Sequence, residues 1–94
     1  MFLVRDIFQA KPGKAKELVA KFKAAMPHMG GDSMRVMTDA IAGYWTVVIE
    51  SEVESLDGYV NNVRSGANNA EIGAAMQGYM DLVIGGHREV FRIE

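Results

Sequence analysis

Cysteine is absent from the 94 residues, so there is no disulfide, no thiolate metal site and no cysteine nucleophile. No apolar run approaches the roughly 20 residues of a membrane span. Met1-Phe2-Leu3-Val4 runs at once into Arg5 and Asp6, so a signal peptide is not expected either. Excess charge of one sign is lacking: 10 Lys and Arg stand against 12 Asp and Glu, a formal net charge of −2. A nucleic-acid-binding module is normally clearly basic, so neither nucleic acid nor a membrane is expected as a partner. The chain contains no G-x-S-x-G elbow, no P-loop and no G-x-G-x-x-G. His28 and His87 are the only histidines, and neither has a second His at i+2, i+3 or i+4. A metal site needs several convergent ligands, so no metal and no cofactor is expected.

What is present fits an ordinary globular domain spanning residues 1–94, with 49% hydrophobic and 23% charged residues. A cytoplasmic location is the default expectation. By the usual scaling a compact chain of 10.3 kDa keeps roughly 5,400 Å² accessible out of roughly 15,000 Å² unfolded, so its core is thin.

Phe2–Gln9 (FLVRDIFQ) is rich in β-branched and aromatic residues and too short for a helix, and reads as a strand ended by Lys11-Pro12-Gly13. Lys14–Met26 is the clearest helix: Ala15, Leu18, Val19, Phe22, Ala25 and Met26 share a 120° arc on a wheel of 100° per residue. Pro27 and Gly30-Gly31 stop it. Ser33–Asp39 alternates, and Tyr44–Ser51 (YWTVVIES) is the strongest strand signal; the short link between them predicts a hairpin. After a Ser55 N-cap, Leu56, Tyr59, Val60 and Val63 keep helical spacing as far as Ser65-Gly66. A further helical stretch is predicted from Asn69 to Ile84, ended by Gly85-Gly86, and His87–Glu94 is the last strand. The order β-α-β-β-α-β, its second helix broken in two, is the ferredoxin-like α+β arrangement with a four-stranded antiparallel sheet.

Helices cover one face of such a sheet. Alternation assigns to it Phe2, Val4, Phe8, Met34, Val36, Trp45, Val47, Ile49, Phe91 and Ile93, with Asp6 and Glu89 fitting poorly enough to suggest strand ends. The opposite set holds an apolar patch of Leu3, Ile7, Met37, Val48 and Val90. Large uncovered patches mark interfaces, and the simplest cover is a second copy laid sheet to sheet by a two-fold axis. A homodimer with that interface is the expectation. Arg5, Arg35 and Arg92, together with Tyr44, fall in the same set and are candidate ligand-binding residues. Alternatively the arginines form a network with Glu50, Asp39 and Glu94.

The segments FQAKPGKAKELVAKFKAA, RVMTDAIAGYWTVVIESEVESL and GYMDLVIGGHREVFRIE carry a resemblance over nearly the whole chain. In them the chain resembles the dimeric α+β barrel superfamily, which includes the antibiotic-biosynthesis monooxygenases and the NIPSNAP-like proteins. The resemblance implies two protomers packed sheet on sheet, and in some members small-molecule enzymes. In haem-degrading relatives a tryptophan of the third strand works with an asparagine of the first strand and a histidine of the second helix. Trp45 stands on a comparable strand, but Phe2–Gln9 has no asparagine, and Leu56–Ser65 offers Asn61 and Asn62 rather than histidine.

The candidate catalytic residues are thus His87, placed at a strand end near the barrel mouth, His28 in the Pro27–Gly31 loop, and Trp45; the competing reading of Trp45 is a core residue. Lys14, Lys16, Lys21 and Lys23 flank the apolar arc of the first helix and read as its solvated edges. Met26, Met34, Met76 and Met80 read as core filling. Two functions follow. One is a dimer that binds a small organic molecule in the barrel cavity and acts as a cofactor-independent, monooxygenase-like enzyme. The other is a non-catalytic structural or accessory dimer.

Overall fold

The structure, a computed structural model, describes residues 1–29 and 33–94. Its elements are β1 (Phe2–Ala10), α1 (Ala15–Ala25), a 3-10 turn (Met26–His28), β2 (Arg35–Thr38), β3 (Thr46–Val53), α2 (Leu56–Ala67), α3 (Ala70–Ala75), a second 3-10 turn (Tyr79–Leu82) and β4 (Val83–Arg92). The sheet order is β2-β3-β1-β4, with each neighbouring pair antiparallel. This is the expected ferredoxin-like α+β fold. The expected helix stop at Gly30-Gly31 lies outside the described residues.

Local chemistry explains most boundaries. Gly13 takes φ +77° in the turn before α1, a conformation that is cheap only for glycine. Pro12 therefore sits in that turn rather than in the helix. The Ser55 side chain accepts from the Gly58 N–H at 3.0 Å, capping α2. The Asn69 side chain accepts from Glu71 and Ile72 N–H groups at 2.9 and 3.1 Å, capping α3. Gly78, at φ +79°, turns the chain away from helix.

The core lies between α1 and the sheet. Leu18, Phe22, Ala10, Val47, Ile49 and Leu82 are its buried cluster, with Phe8, Met34, Val36, Met76 and Tyr79 packed against it. The Phe8 and Phe22 ring centres are 5.0 Å apart. The molecule is a slab of 35 × 33 × 19 Å, one layer of helix on one layer of sheet.

Several predicted boundaries are corrected. The helical stretch ends at Ala75, not Ile84, and β4 starts at Val83, so Gly85-Gly86 lies inside a strand. The reason is close approach: a Cβ on Gly86 would stand 2.4 Å from the Ile7 carbonyl oxygen. Tyr44 and Trp45 precede β3 instead of opening it. Met80 is exposed rather than core-filling.

Candidate functional site

Register places every strand residue on one of two faces. Phe8 and Ala10 of β1 and Val47 and Ile49 of β3 mark the covered face, because they pack on α1. The residues between them form a face with no layer of this chain over it. Reading across β2, β3, β1 and β4, its central row is Arg35, Glu50, Arg5 and Glu89. The next row is Met37, Val48, Ile7 and His87. On the far side of the charged row, Glu52, Leu3 and Phe91 stand in line.

The charged row alternates in sign across the whole sheet. Arg35 donates to Glu50 Oε2 through Nε and Nη2 at 2.9 and 2.8 Å. Arg5 Nε stands 3.5 Å from Glu50 Oε1, and its guanidinium lies 5.6 Å from the Phe91 ring centre. Glu50 is only 4% exposed, the one buried charged residue among those described. A carboxylate is almost never buried unless paired, and two guanidiniums do the pairing here. His87 Nε2 stands 3.6 Å from Glu89 Oε2 on the same strand.

Of the expected site residues, Leu3, Ile7, Met37 and Val48 do share this face with Arg5 and Arg35. Val90 and Arg92 do not. β4 pairs with β1 so that Val90 lies opposite Val4 and Arg92 opposite Phe2, on the covered side. Phe91 takes the open-face place instead, and the Arg92 guanidinium lies 5.9 Å from the Phe2 ring centre. His87 is mid-strand rather than at a strand end.

Tyr44 is 81% exposed in the β2–β3 connection, where its carbonyl accepts from the Gln9 side chain. Trp45 is not a core residue. It is 41% exposed at φ +60°, a left-handed backbone unusual for an aromatic residue, and its carbonyl accepts from Ala10 N–H at 2.9 Å. His28 sits in the first 3-10 turn, its Nδ1 2.5 Å from Glu71 Oε2. It is remote in role from His87: the two histidines belong to different elements and different ion pairs.

The covered face holds a polar cluster that sequence reasoning missed. Asp6 lies in the middle of β1, not at its end, opposite Arg88 of β4. Arg88 Nε donates to Asp6 Oδ1. The guanidinium stands 5.3 Å from the ring centre of Tyr59 on α2. Burial, then the Asp6 carboxylate, push the Tyr59 phenol above its ordinary value, with Arg88 opposing. The hydrogen bond to Asp6 holds Arg88 still more firmly protonated. The available signal was an aspartate on the face of β1 that Phe2, Val4, Phe8 and Ala10 otherwise occupy.

Two concavities stand out. One of about 190 Å³ opens on the sheet edge beside Leu3, Ser33, Arg35, Glu50, Ser51 and Glu52. The other, about 390 Å³, is a surface groove of Glu17, Ala20, Lys21, Ala24 and Ala75, between α1 and α3. Neither lies between helices and sheet. Among the described residues no group of three or more His, Cys, Asp or Glu could hold a metal ion. No helix there is long and apolar enough to cross a membrane.

No family profile and no curated protein matches the chain. Solved structures do. A NIPSNAP family protein from Agrobacterium tumefaciens str. C58 superposes with a TM-score of 0.85 at 14% identity, over 99% of this chain and 85% of the other. An uncharacterized NIPSNAP-like domain protein from Burkholderia xenovorans gives 0.84 at 14% identity, over 99% and 84%. A "putative Antibiotic biosynthesis monooxygenase" from Chloroflexus aurantiacus J-10-fl gives 0.75 at 14% identity, over 99% and 93%. At such identity the likeness establishes the fold, the one the sequence resemblance implied.

Proposed function

We propose that the chain works as a homodimer, two copies laid open face to open face, and that the resulting α+β barrel binds a small organic molecule and carries out cofactor-independent, monooxygenase-like chemistry. The open face carries the proposal. Its core is apolar, its single buried carboxylate is held between two arginines, and it has no cover of its own. Accessible surface supports the same reading. The chain exposes 6365 Å², roughly 1,000 Å² more than a compact monomer of its mass. A standard interface takes about 800 Å² per partner. The chemistry is suggested by the monooxygenase names among the structural neighbours.

One observation favours the accessory-dimer reading: both marked concavities lie outside the layer between helices and sheet. A thermal-shift screen of small organic molecules, followed by oxygen uptake with each stabilising compound, separates the two. Under the enzymatic reading at least one compound stabilises the dimer and is consumed with oxygen. A panel with neither stabilisation nor uptake leaves the accessory dimer as the function.

A further inference from the structure

The open face carries a row of alternating charge: Arg35, Glu50, Arg5 and Glu89, read across β2, β3, β1 and β4. Its middle is satisfied within the chain, since both guanidiniums reach Glu50. Its ends are not. Arg35 uses Nε and Nη2 on Glu50, and its side chain is still 67% exposed. Among the described residues, only His87 comes within ion-pair distance of Glu89. The two ends lie on opposite edge strands, so they cannot meet in one chain.

A second copy can join them. Stacked sheets align their strands or cross them at right angles. A two-fold axis lying between the sheets and along the strands reverses the row, so that every charge faces its opposite. Arg35 then faces the partner's Glu89, and Glu50 the partner's Arg5. An axis across the strands sets each charge over itself, and a right-angled crossing lays the charged row over the partner's apolar rows. Like charges brought together across an interface are disfavoured. Two further fits follow from the axis along the strands, and neither involves charge. Phe91, exposed and two residues beyond Glu89 on the same face, falls over the partner's β2 edge. There the concavity of about 190 Å³ opens beside Leu3, Ser33 and Glu52. Ile84, at the start of β4, is 66% exposed. The axis brings it to the partner's β2–β3 connection, which carries the 99% exposed Ile41 and the exposed Tyr44. Gln9 lies opposite both Thr46 and Gly85, so these two features share one end of the sheet.

We propose that the open face binds its second copy in this one orientation, with the two-fold axis along the strands near the β3–β1 boundary. Each Arg35 pairs with the partner's Glu89, each Phe91 fills the partner's sheet-edge concavity, and each β2–β3 connection packs on the partner's Ile84. The arrangement rests on the homodimer proposed above and adds which strand lies over which: β2 over the partner's β4, β3 over the partner's β1.

The chain has no cysteine, so Met37→Cys/His87→Cys reports a single proximity. In this orientation Met37 of each copy faces the partner's His87. A bismaleimide no longer than the roughly 10 Å between stacked sheets is expected to convert the double variant to a covalent dimer on a denaturing gel. Within one chain β2 and β4 are three strand spacings apart, roughly 14 Å, beyond that reagent. Either single variant is expected to give no covalent dimer, because equivalent residues lie on opposite edges. Glu89→Arg and Arg35→Glu are each expected to weaken self-association about ten-fold or more. An equimolar mixture of the two restores it, since each supplies the sign the other lacks; the cross-link decides alone if Arg35→Glu does not fold. A wild type dimeric by light scattering whose double variant does not cross-link, or whose single variants cross-link as well, overturns the orientation and leaves the homodimer standing. So does a mixture of the two folded charge variants that stays monomeric, or charge variants that dimerise like wild type. A monomeric wild type at micromolar concentration overturns the homodimer itself and leaves the face to another partner.

Discussion

Gly86→Ala tests the register that brings β4 against β1. The added Cβ would stand 2.4 Å from the Ile7 carbonyl oxygen and 3.3 Å from Phe8 Cα. Both are backbone of the central strand, so no side chain can swing aside. The strands must part locally, which strains the packing by about 1–3 kcal/mol and weakens one or two ladder hydrogen bonds at about 1 kcal/mol each. A loss of about 2–5 kcal/mol is expected. For a chain of this size each kcal/mol moves the melting temperature by roughly 4–8 °C, so the variant should melt at least roughly 8 °C, and up to roughly 40 °C, lower. Gly85→Ala is the control. A Cβ there meets nothing within 4 Å, so that variant should match the wild type or gain slightly. Thermal melts followed by circular dichroism compare the three proteins. Equal melting of Gly86→Ala and wild type would refute the strand placement of Gly85-Gly86.

Other outcomes follow from the same geometry. Arg5→Met leaves Glu50 bonded to Arg35 at 2.8 Å, so the monomer fold should lose under about 1 kcal/mol. Self-association, read by sedimentation, should weaken by about ten-fold or more; a small organic acid whose stabilisation is lost in this variant would show that the guanidinium grips a ligand instead. Tyr59 is raised from 10.0, so its contribution to stability is complete below about pH 10 and is lost as the pH rises through the folded-state value. Alkaline melts should therefore fall less steeply above pH 10 in Tyr59→Phe than in wild type, and parallel curves would contradict the assignment. Ser55→Ala removes the cap on Gly58 N–H and should cost about 1 kcal/mol in urea unfolding.

The elements that periodicity could identify were legible: α1 from its apolar arc, β1 and β3 from their branched and aromatic runs, and the break in the second crossover. The apolar patch of Leu3, Ile7, Met37 and Val48 was legible as well, because alternation within each strand needs no partner. β4 was misread on two counts. Helical spacing through Tyr79, Met80 and Val83 continued past Gly78, whose positive φ ends it. Its alternation was then assigned to the wrong face, because Val90 and Phe91 are both apolar and only pairing with β1 chooses between them. The Asp6–Arg88 pair joins residues far apart in sequence; Asp6 stands out locally as a poor fit to the covered face, but only the β1–β4 register names its partner. Trp45 resembled a core tryptophan because its composition suits a strand. Its backbone, turned to φ +60° to bring its carbonyl to Ala10, lies just outside β3.

Self-association through the open face is tested most directly by light scattering coupled to size exclusion, on wild type and Val48→Lys at micromolar concentration. Val48 lies between Met37 and Ile7 in the apolar row, where an unpaired ammonium in a dry interface is costly. Wild type is expected at twice the 10.3 kDa chain mass and Val48→Lys as a folded monomer. A wild type that elutes as a clean 10.3 kDa monomer, or a Val48→Lys that stays dimeric, would contradict the assignment of this face.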